Sequence, residues 1–247
     1  MPISPNQGST GGGTVVTITG VNLAGATAVS FGARPATITA NTPTSVTAIA
    51  PAGAGVVDMR VTTSGGTSNP LSYFYVGAPF TASVSVSSGP TGGGNTVTIS
   101  GTGLSTASSV NFGANSATPT VVSDSTISVV VPAGTAAGSV SLSVITTGGV
   151  AAGLSYTYVD APTVTTVTPS SGPATGGTAV TLTGSDLATT QSVTVGGVVA
   201  PFTVINSATV SLVTPPGDAG AADLVVTTTG GSATVVAGFT YTAGPGV

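Results

Sequence analysis

Residues that could perform acid–base or metal chemistry are scarce in this chain of 247 residues. Charged side chains make up 3% of the sequence, against about 25% in an average soluble domain. Lys, Glu, His, Cys and Trp are absent, and the net charge is −4. The charged residues are Arg34, Arg60, Asp58, Asp124, Asp160, Asp186, Asp218 and Asp223. Two arginines cannot supply the several phosphate contacts of a nucleic-acid-binding protein. Zinc and iron–sulfur sites, like disulfides, need the missing Cys or His.

Catalytic constellations cannot be assembled from the remaining polar residues. Ser and Thr are abundant, but neither His nor Lys is present to take their proton, so we expect these hydroxyls on exposed strand faces and in turns. Asp218 and Asp223 are the closest acidic pair in the sequence. Paired carboxylates about 5–9 Å apart hydrolyse glycosides, but that mechanism also needs a sugar-binding cleft. We therefore predict that the protein is not an enzyme and has no catalytic residues.

Metal and cofactor sites are not expected either. Calcium needs six to eight oxygen ligands, whereas Asp160 stands alone between two repeats and Gly77 occupies the equivalent place. Glycine clusters are present, but no Lys and no predicted helix follow them, so they indicate turns rather than phosphate-binding loops. Asp58 and Arg60 flank the inward-facing Met59 on one strand, and we expect them to pair on its outer face, where such a pair contributes about 0–1 kcal/mol.

Carbohydrate binding stays open as an alternative, although its usual signal is weak. Exposed aromatic rings commonly form the platform for a sugar, but the chain has no Trp. Tyr75, Tyr158 and Tyr241 share the alternation of inward-facing residues, so we expect these rings to fill the core.

The elements that position these residues recur with a fixed period. Segments 11–20, 92–101 and 176–184 repeat a glycine cluster followed by an alternating strand, and their closing glycines at 20, 101 and 184 lie 81 and 83 residues apart. Such self-similarity indicates tandem units. We predict three domains, at residues 1–78, 79–161 and 162–247, which are called repeats one, two and three below.

The sequence pattern predicts that each repeat consists of short strands. Val16 and Ile18 alternate with threonines, a period of two that places one face on a core. Later strands end at a proline, form a hairpin around a Gly-Gly pair, and close with alternating aromatics. Repeat three has Val195 where the others have Phe, and we expect Phe202 to compensate. About seven strands per repeat and no helical periodicity predict an all-β chain of three β-sandwiches. The short proline-containing junctions predict an extended rod.

The motifs resemble the IPT/TIG family of immunoglobulin-like domains. The resemblance covers nearly the whole chain and implies three tandem immunoglobulin-like β-sandwiches. It implies no catalytic residues, because modules of this family are found as non-catalytic parts of receptors, surface proteins and enzymes, and the fold itself hosts many roles. In repeat three it rests on Gly172-Pro173, Gly176-Gly177-Thr178, Gly184, Val195-Gly196, Pro215 and Phe239-Thr240-Tyr241.

The expected function is structural or adhesive. Outer faces of Thr, Ser, Ala and Gly lose little hydration free energy when they are buried, so we expect self-association into a fibre, appendage or surface coat. The alternatives are a monomeric spacer that binds polysaccharide or a cell surface, and a decoration or tail-fibre component of a phage virion. No secretory signal is visible, since the first strand begins almost at Met1, and no apolar run reaches the 18 residues of a membrane span. We expect an extracellular, cell-surface or virion-associated protein.

Overall fold

The computed structural model describes residues 1–244, in which every regular element is a β-strand. The predicted all-β class is therefore confirmed, while the last three residues of the predicted third domain lie outside the described residues. The described strands group into sheets that each stay within one repeat. The chain also divides into two compact units, which split the strands of repeat two between them; these are residues 1–85, 96–130 and 141–154, and residues 86–95, 131–140 and 155 onward.

Repeat one forms one continuous sheet that folds over itself. Its order is β1-β3-β6-β5-β4-β7-β9-β2, with β8 added beside β7. The strands are β1 (Ile3–Ser4), β2 (Gln7–Ser9), β3 (Val15–Thr19), β4 (Ala28–Phe31), β5 (Arg34–Asn41), β6 (Ser45–Ile49), β7 (Val56–Thr63), β8 (Gly66–Thr67) and β9 (Leu71–Val76).

Repeat two forms two sheets, of four and five strands. The sheet orders are β10-β12-β16-β15 and β11-β18-β17-β13-β14. The strands are β10 (Phe80–Val84), β11 (Ser88–Pro90), β12 (Thr96–Thr102), β13 (Ala107–Phe112), β14 (Asn115–Ala117), β15 (Thr120–Ser123), β16 (Thr126–Val130), β17 (Gly138–Thr146) and β18 (Gly149–Val159).

Repeat three has the same two sheets as repeat two. The orders are β19-β21-β25-β24 and β20-β27-β26-β22-β23. The strands are β19 (Thr163–Thr168), β20 (Ser171–Pro173), β21 (Ala179–Ser185), β22 (Thr190–Val195), β23 (Val198–Val199), β24 (Phe202–Asn206), β25 (Thr209–Val213), β26 (Gly220–Thr228) and β27 (Gly231–Thr242).

A proline explains why the sheet is continuous only in repeat one. The long strand β5 pairs with β4 through its first half and with β6 through its second half. In repeat two the corresponding stretch is divided into β14 and β15, with Pro119 between them, and in repeat three Pro201 lies between β23 and β24. Proline has no N–H to donate to a ladder. The strand is therefore interrupted where the chain passes from one sheet to the other.

Parallel pairing closes each sandwich next to its last strand. β2 pairs with β9, β11 with β18 and β20 with β27, each in parallel over three residue pairs. The neighbouring strands of these sheets pair antiparallel. The first and last segments of each repeat thus lie side by side.

The cores contain the alternating residues that the sequence indicated. Val16 and Ile18 of β3 are fully buried, and their counterparts in repeats two and three are buried as well. Tyr73 and Tyr75 meet edge to face with ring centroids 5.1 Å apart, and the Phe239–Tyr241 pair has the same geometry at 5.0 Å. Each such pair adds about 0.5–1.5 kcal/mol beyond its buried area. The immunoglobulin-like sandwich is therefore packed around its closing strand.

The core of repeat three accommodates the missing phenylalanine as expected. Val195 is buried at the position held by Phe31 and Phe112 in the other repeats. Phe202 of β24 is partly buried and packs against the same core cluster. An aromatic side chain from the facing sheet thus replaces part of the lost volume.

Candidate functional site

A groove of about 720 Å³ in repeat three brings together the two carboxylates that the sequence singled out. The Gly196-Gly197 turn between β22 and β23 lines it, together with Asp218 in the segment that leads into β26 and Asp223 within β26. Gly217 adjoins the ring of Tyr241, and a Cβ there would approach that ring to 2.6 Å. The groove thus exists because glycine lets the backbone lie directly on an aromatic ring.

Asp223 has a structural role in this groove. Its Oδ1 accepts a hydrogen bond of 2.8 Å from the N–H of Ala237, a residue with a φ of 52°. Its carbonyl oxygen accepts another from the N–H of Gly196 at 2.8 Å. Both Asp218 and Asp223 are exposed to solvent. Both carboxylates are therefore open to solvent, whereas glycoside hydrolysis needs a cleft that encloses the sugar.

A smaller groove of about 320 Å³ occupies the same position in repeat one and carries the opposite charge. Arg34 follows the Gly32-Ala33 turn here, and Tyr75 and Gly53 correspond to Tyr241 and Gly217. The Arg34 guanidinium donates a hydrogen bond of 2.7 Å to the carbonyl oxygen of Ala52. Repetition of the groove with different charged residues indicates that it follows from the fold rather than from one dedicated chemistry.

The three closing tyrosines are structural anchors, as the alternation predicted. Their hydroxyls donate to carbonyl oxygens at the strand-ending prolines, Tyr75 to Pro51, Tyr158 to Pro132 and Tyr241 to Pro215, at 2.7–2.8 Å. No more than 9% of any of these side chains is exposed. Burial is the main cause that raises the pKa of all three phenols. Their rings are not available as a flat platform for a sugar.

Two phenylalanines that the sequence patterns did not point to are exposed, one in β9 and one at the start of β10. Phe74 is 41% exposed and Phe80 is 64% exposed. The alternation between Tyr73 and Tyr75 could have revealed Phe74, because the residue between two inward rings must point outward. Phe80 follows Pro79 at a junction, and its orientation could not be read from a single strand period. Threonines stand at the equivalent places, Thr157 for Phe74 and Thr163 for Phe80.

The remaining charged residues lie apart from these grooves and make local contacts. Asp58 and Arg60 pair at 3.8 Å across the buried Met59, which confirms the predicted outer-face pair. Asp160 accepts a hydrogen bond of 2.7 Å from the Thr91 hydroxyl. The Ser105 hydroxyl and the Gly103 N–H hold the pKa of Asp124 below its ordinary value. Each of these carboxylates thus has a partner within its own surroundings.

Metal-binding groups are not brought together in the described residues. Nowhere in residues 1–244 do three or more His, Cys, Asp or Glu side chains gather at one place.

Across the described part of the chain, no helix combines the length and the apolar character needed to cross a bilayer.

The fold and its repeated motifs define a class of tandem immunoglobulin-like modules. A comparison with family models shows which family this is. The sequence model of the IPT/TIG domain matches three times, at residues 1–75, 79–158 and 162–243. The chain therefore belongs to the IPT/TIG domain family. No curated protein matches the sequence.

Solved structures with a similar fold come from several kinds of protein. The plexin A4 extracellular region is 19% identical with a TM-score of 0.49, over 93% of this chain and 22% of that one. SGBP-B of Bacteroides ovatus, in complex with a mixed-linkage heptasaccharide, is 16% identical with a TM-score of 0.31, over 96% and 65%. The Escherichia coli adhesin FdeC is 15% identical with a TM-score of 0.33, over 95% of each chain. The chain spans about a fifth of the plexin A4 structure. Likenesses this distant carry no information about function.

Proposed function

We infer that the protein is a non-catalytic structural or adhesive protein that self-associates into a fibre, appendage or surface coat. The observation that carries this proposal is the edge strand β15, which pairs only with β16 among the described strands. All four of its residues are exposed, Val122 by 65%, and none carries a charge. An exposed, uncharged edge is a template for another strand.

A second edge has the same character. Strand β24 borders the corresponding sheet of repeat three, and Ile205 on it is 60% exposed. Natural edge strands commonly use lysine to prevent such pairing, and this chain has no lysine. Burying Thr, Ser, Ala and Val removes few charges from water, so the desolvation cost of association is small.

The non-catalytic part of the proposal is supported by residue types. Neither His nor Lys is available as a base, and the two carboxylates of the repeat-three groove are exposed. An extracellular, cell-surface or virion-associated location agrees with a coat or fibre role and is part of the same proposal.

A charge placed on the edge strand tests the proposal. Val122→Lys should lower the association that light scattering and negative-stain microscopy detect over a concentration series, because the lysine must be desolvated when strands add. The control is Val213→Lys, since Val213 is 42% exposed but its backbone pairs with Ala179 on one side and donates to the Pro201 carbonyl on the other. A native chain that stays monomeric at every concentration would refute self-association.

A glycan- or cell-binding spacer is the second candidate, favoured by the exposed Phe74 and Phe80. Aromatic faces are common sugar-binding platforms. A glycan array and a cell-binding assay with the native chain would reveal such a ligand. Phe74→Thr and Phe80→Thr, which install the residue types of the other repeats, should then abolish the binding. Binding unchanged in both variants would exclude these rings as the platform.

A further inference from the structure

Three hairpin turns of the molecule are built in the same way. The Gly-Gly pairs at 65–66, 148–149 and 230–231 each follow a threonine two residues before the first glycine. The hydroxyl of that threonine accepts a hydrogen bond from the N–H of the first glycine, at 3.2 Å for Gly65 and 3.1 Å for Gly148 and Gly230. These three first glycines are called the turn glycines here.

Backbone conformation explains why the second residue of each pair is glycine. Its φ is 123° in repeat one, 136° in repeat two and 133° in repeat three, a region that side chains disfavour. The turn glycines have no such φ. Their lack of a side chain therefore needs another cause.

Close approach of a neighbouring backbone is that cause at two of the three turns. A Cβ on Gly148 would strike the carbonyl oxygen of Gly77, in the junction that precedes repeat two. A Cβ on Gly230 would strike the carbonyl oxygen of Asp160, in the junction that precedes repeat three. Both turn glycines are buried, and the Ser9 hydroxyl adds a hydrogen bond of 2.9 Å to the Gly148 carbonyl.

The third turn glycine has the same local structure but no neighbour. Gly65 is exposed, and a Cβ there would meet only the Thr63 hydroxyl oxygen, at 3.6 Å. The surface beside it is a shallow groove of about 380 Å³ that includes Met1 and Val21, which are 42% and 76% exposed. Nothing in the described residues therefore requires glycine at this position, whereas a backbone arriving from outside would.

A third segment of the same kind follows the closing tyrosine of repeat three. Gly77 and Asp160 each lie two residues after a closing tyrosine, and Ala243 stands at the same distance from Tyr241. Ala243 is exposed. We propose that Gly65 is the docking site for the segment around Ala243 of a second copy of this chain.

This contact would use two different surfaces, so each added copy leaves a free Gly65 and a free Ala243. Such heterologous contacts can repeat without closing. The inference rests on the proposed self-association and names a surface for it. Without a covalent junction the docking segment has a lower effective concentration than inside the chain. We therefore expect the contact to form at high protein concentration.

Substitution of the turn glycine tests the docking site. Gly65→Leu should keep the unfolding temperature of the native chain, since its side chain enters open space, but should abolish concentration-dependent end-to-end growth. Gly92→Leu is the matched control, because Gly92 is another exposed glycine of ordinary φ with nothing near its Cβ. Equal association of both variants and the native chain would overturn the inference.

Thiol cross-linking gives an independent result, because the native chain has no cysteine. Ser64→Cys and Ala243→Cys, made separately and distinguished by mass, are mixed and oxidised. Docking predicts more of the mixed dimer than of the two homodimers combined. A statistical mixture, or an excess of either homodimer, would refute docking at this turn.

The outcomes separate the two proposals. If the native chain associates but Gly65→Leu and the cross-linking show no effect, self-association stands and uses other surfaces, such as the β15 edge. If the mixed dimer is enriched while the native chain forms no larger assemblies, the docking site stands and the fibre or coat role fails.

Discussion

One glycine of each repeated cluster, at positions 12, 93 and 176, is required by the fold more strictly than its neighbours. Gly93 has a φ of 67°, and a Cβ there would lie 2.6 Å from backbone atoms of Val131 and Pro132. Gly12 and Gly176 repeat this geometry at 2.6 Å from the backbone after Ala50 and Thr214. Positive φ and close approach of a neighbouring backbone therefore both require glycine at this position.

Replacing this glycine should destabilise repeat two. Gly93→Ala adds both backbone strain and a backbone clash, and strain of this type costs about 1–3 kcal/mol. Gly92→Ala, one residue earlier, is the control and should change stability little, because nothing lies within 4 Å of its Cβ. Calorimetric unfolding of the two variants measures the difference. Equal stabilities would show that the close approach is not maintained in solution.

Alkaline pH should unfold the protein through its tyrosines. Burial is the largest cause that raises the pKa of all five phenols above the ordinary value of about 10. The tyrosine hydroxyls therefore hold their protons more tightly in the folded state than in the unfolded state. Their contribution to stability is complete below about pH 10 and is lost as the pH rises above it. An ultraviolet titration should show ionisation coincident with loss of β-structure, and ionisation of all phenols without unfolding would contradict this.

The first strand of each repeat shows how elements of the same position differ in packing. Thr81 on β10 pairs with Gly101, and Val164 on β19 pairs with the equivalent Gly184. Val164 packs against the core of repeat three, whereas the buried Thr81 hydroxyl has no hydrogen-bond partner among the described residues. A polar group buried in this way costs free energy that a methyl group does not.

Thr81→Val should therefore stabilise the protein, by about 1 kcal/mol. The exposed Thr96→Val, on β12 of the same repeat, is the control and should leave the free energy of unfolding nearly unchanged. Denaturant unfolding monitored by tyrosine fluorescence measures both variants. A loss of stability in Thr81→Val would mean that the hydroxyl has a partner, such as an ordered water.

Sequence patterns predicted most strands but not all of their limits. Alternation located β3, the closing aromatic strands and the Asp58–Arg60 pair, because each depends on local order along one strand. The structure has nine strands per repeat rather than about seven. Two-residue strands such as β8 and β23 are too short to show alternation, and they exist only because a partner strand lies beside them.

The candidate site was less predictable than the strands. Asp218 and Asp223 are close in sequence, but the groove they line depends on the contact between Gly217 and the Tyr241 ring. That contact joins residues from different strands and has no local signature. The edge character of β15 likewise depends on Pro119, which the sequence shows but whose effect on sheet connection needs the paired strands to be known.

At the scale of the whole molecule, the shortage of charge should determine how association responds to salt. Ionic contacts are screened as the Debye length falls from about 10 Å at 0.1 M to about 3 Å at 1 M salt. With two arginines and six aspartates, few contacts between copies can be ionic. Self-association measured by light scattering should therefore persist or increase between these salt concentrations. A strong decrease would show that the charged residues hold copies together.

The division into three domains at 1–78, 79–161 and 162–247, and their arrangement as an extended rod, stay predictions from the repeat and its short junctions. The family matches at 1–75, 79–158 and 162–243 fall inside these limits, whereas the two compact units split repeat two. Separate expression of residues 162–247 tests whether a repeat folds alone, and small-angle scattering of the whole chain tests the rod.

The parallel pairing of β2 with β9, and of its counterparts, determines how each repeat would respond to tension. When a chain is pulled from both ends, parallel first and last segments slide past each other in shear. All the hydrogen bonds between them then bear the load together, whereas an antiparallel hairpin pulled at its open end breaks one bond at a time. A single-molecule pulling experiment should show one high-force step for each repeat. Forced unfolding is governed by the unfolding rate, and this rate is low when several hydrogen bonds must break together. Each sandwich would thus resist extension as a mechanical clamp.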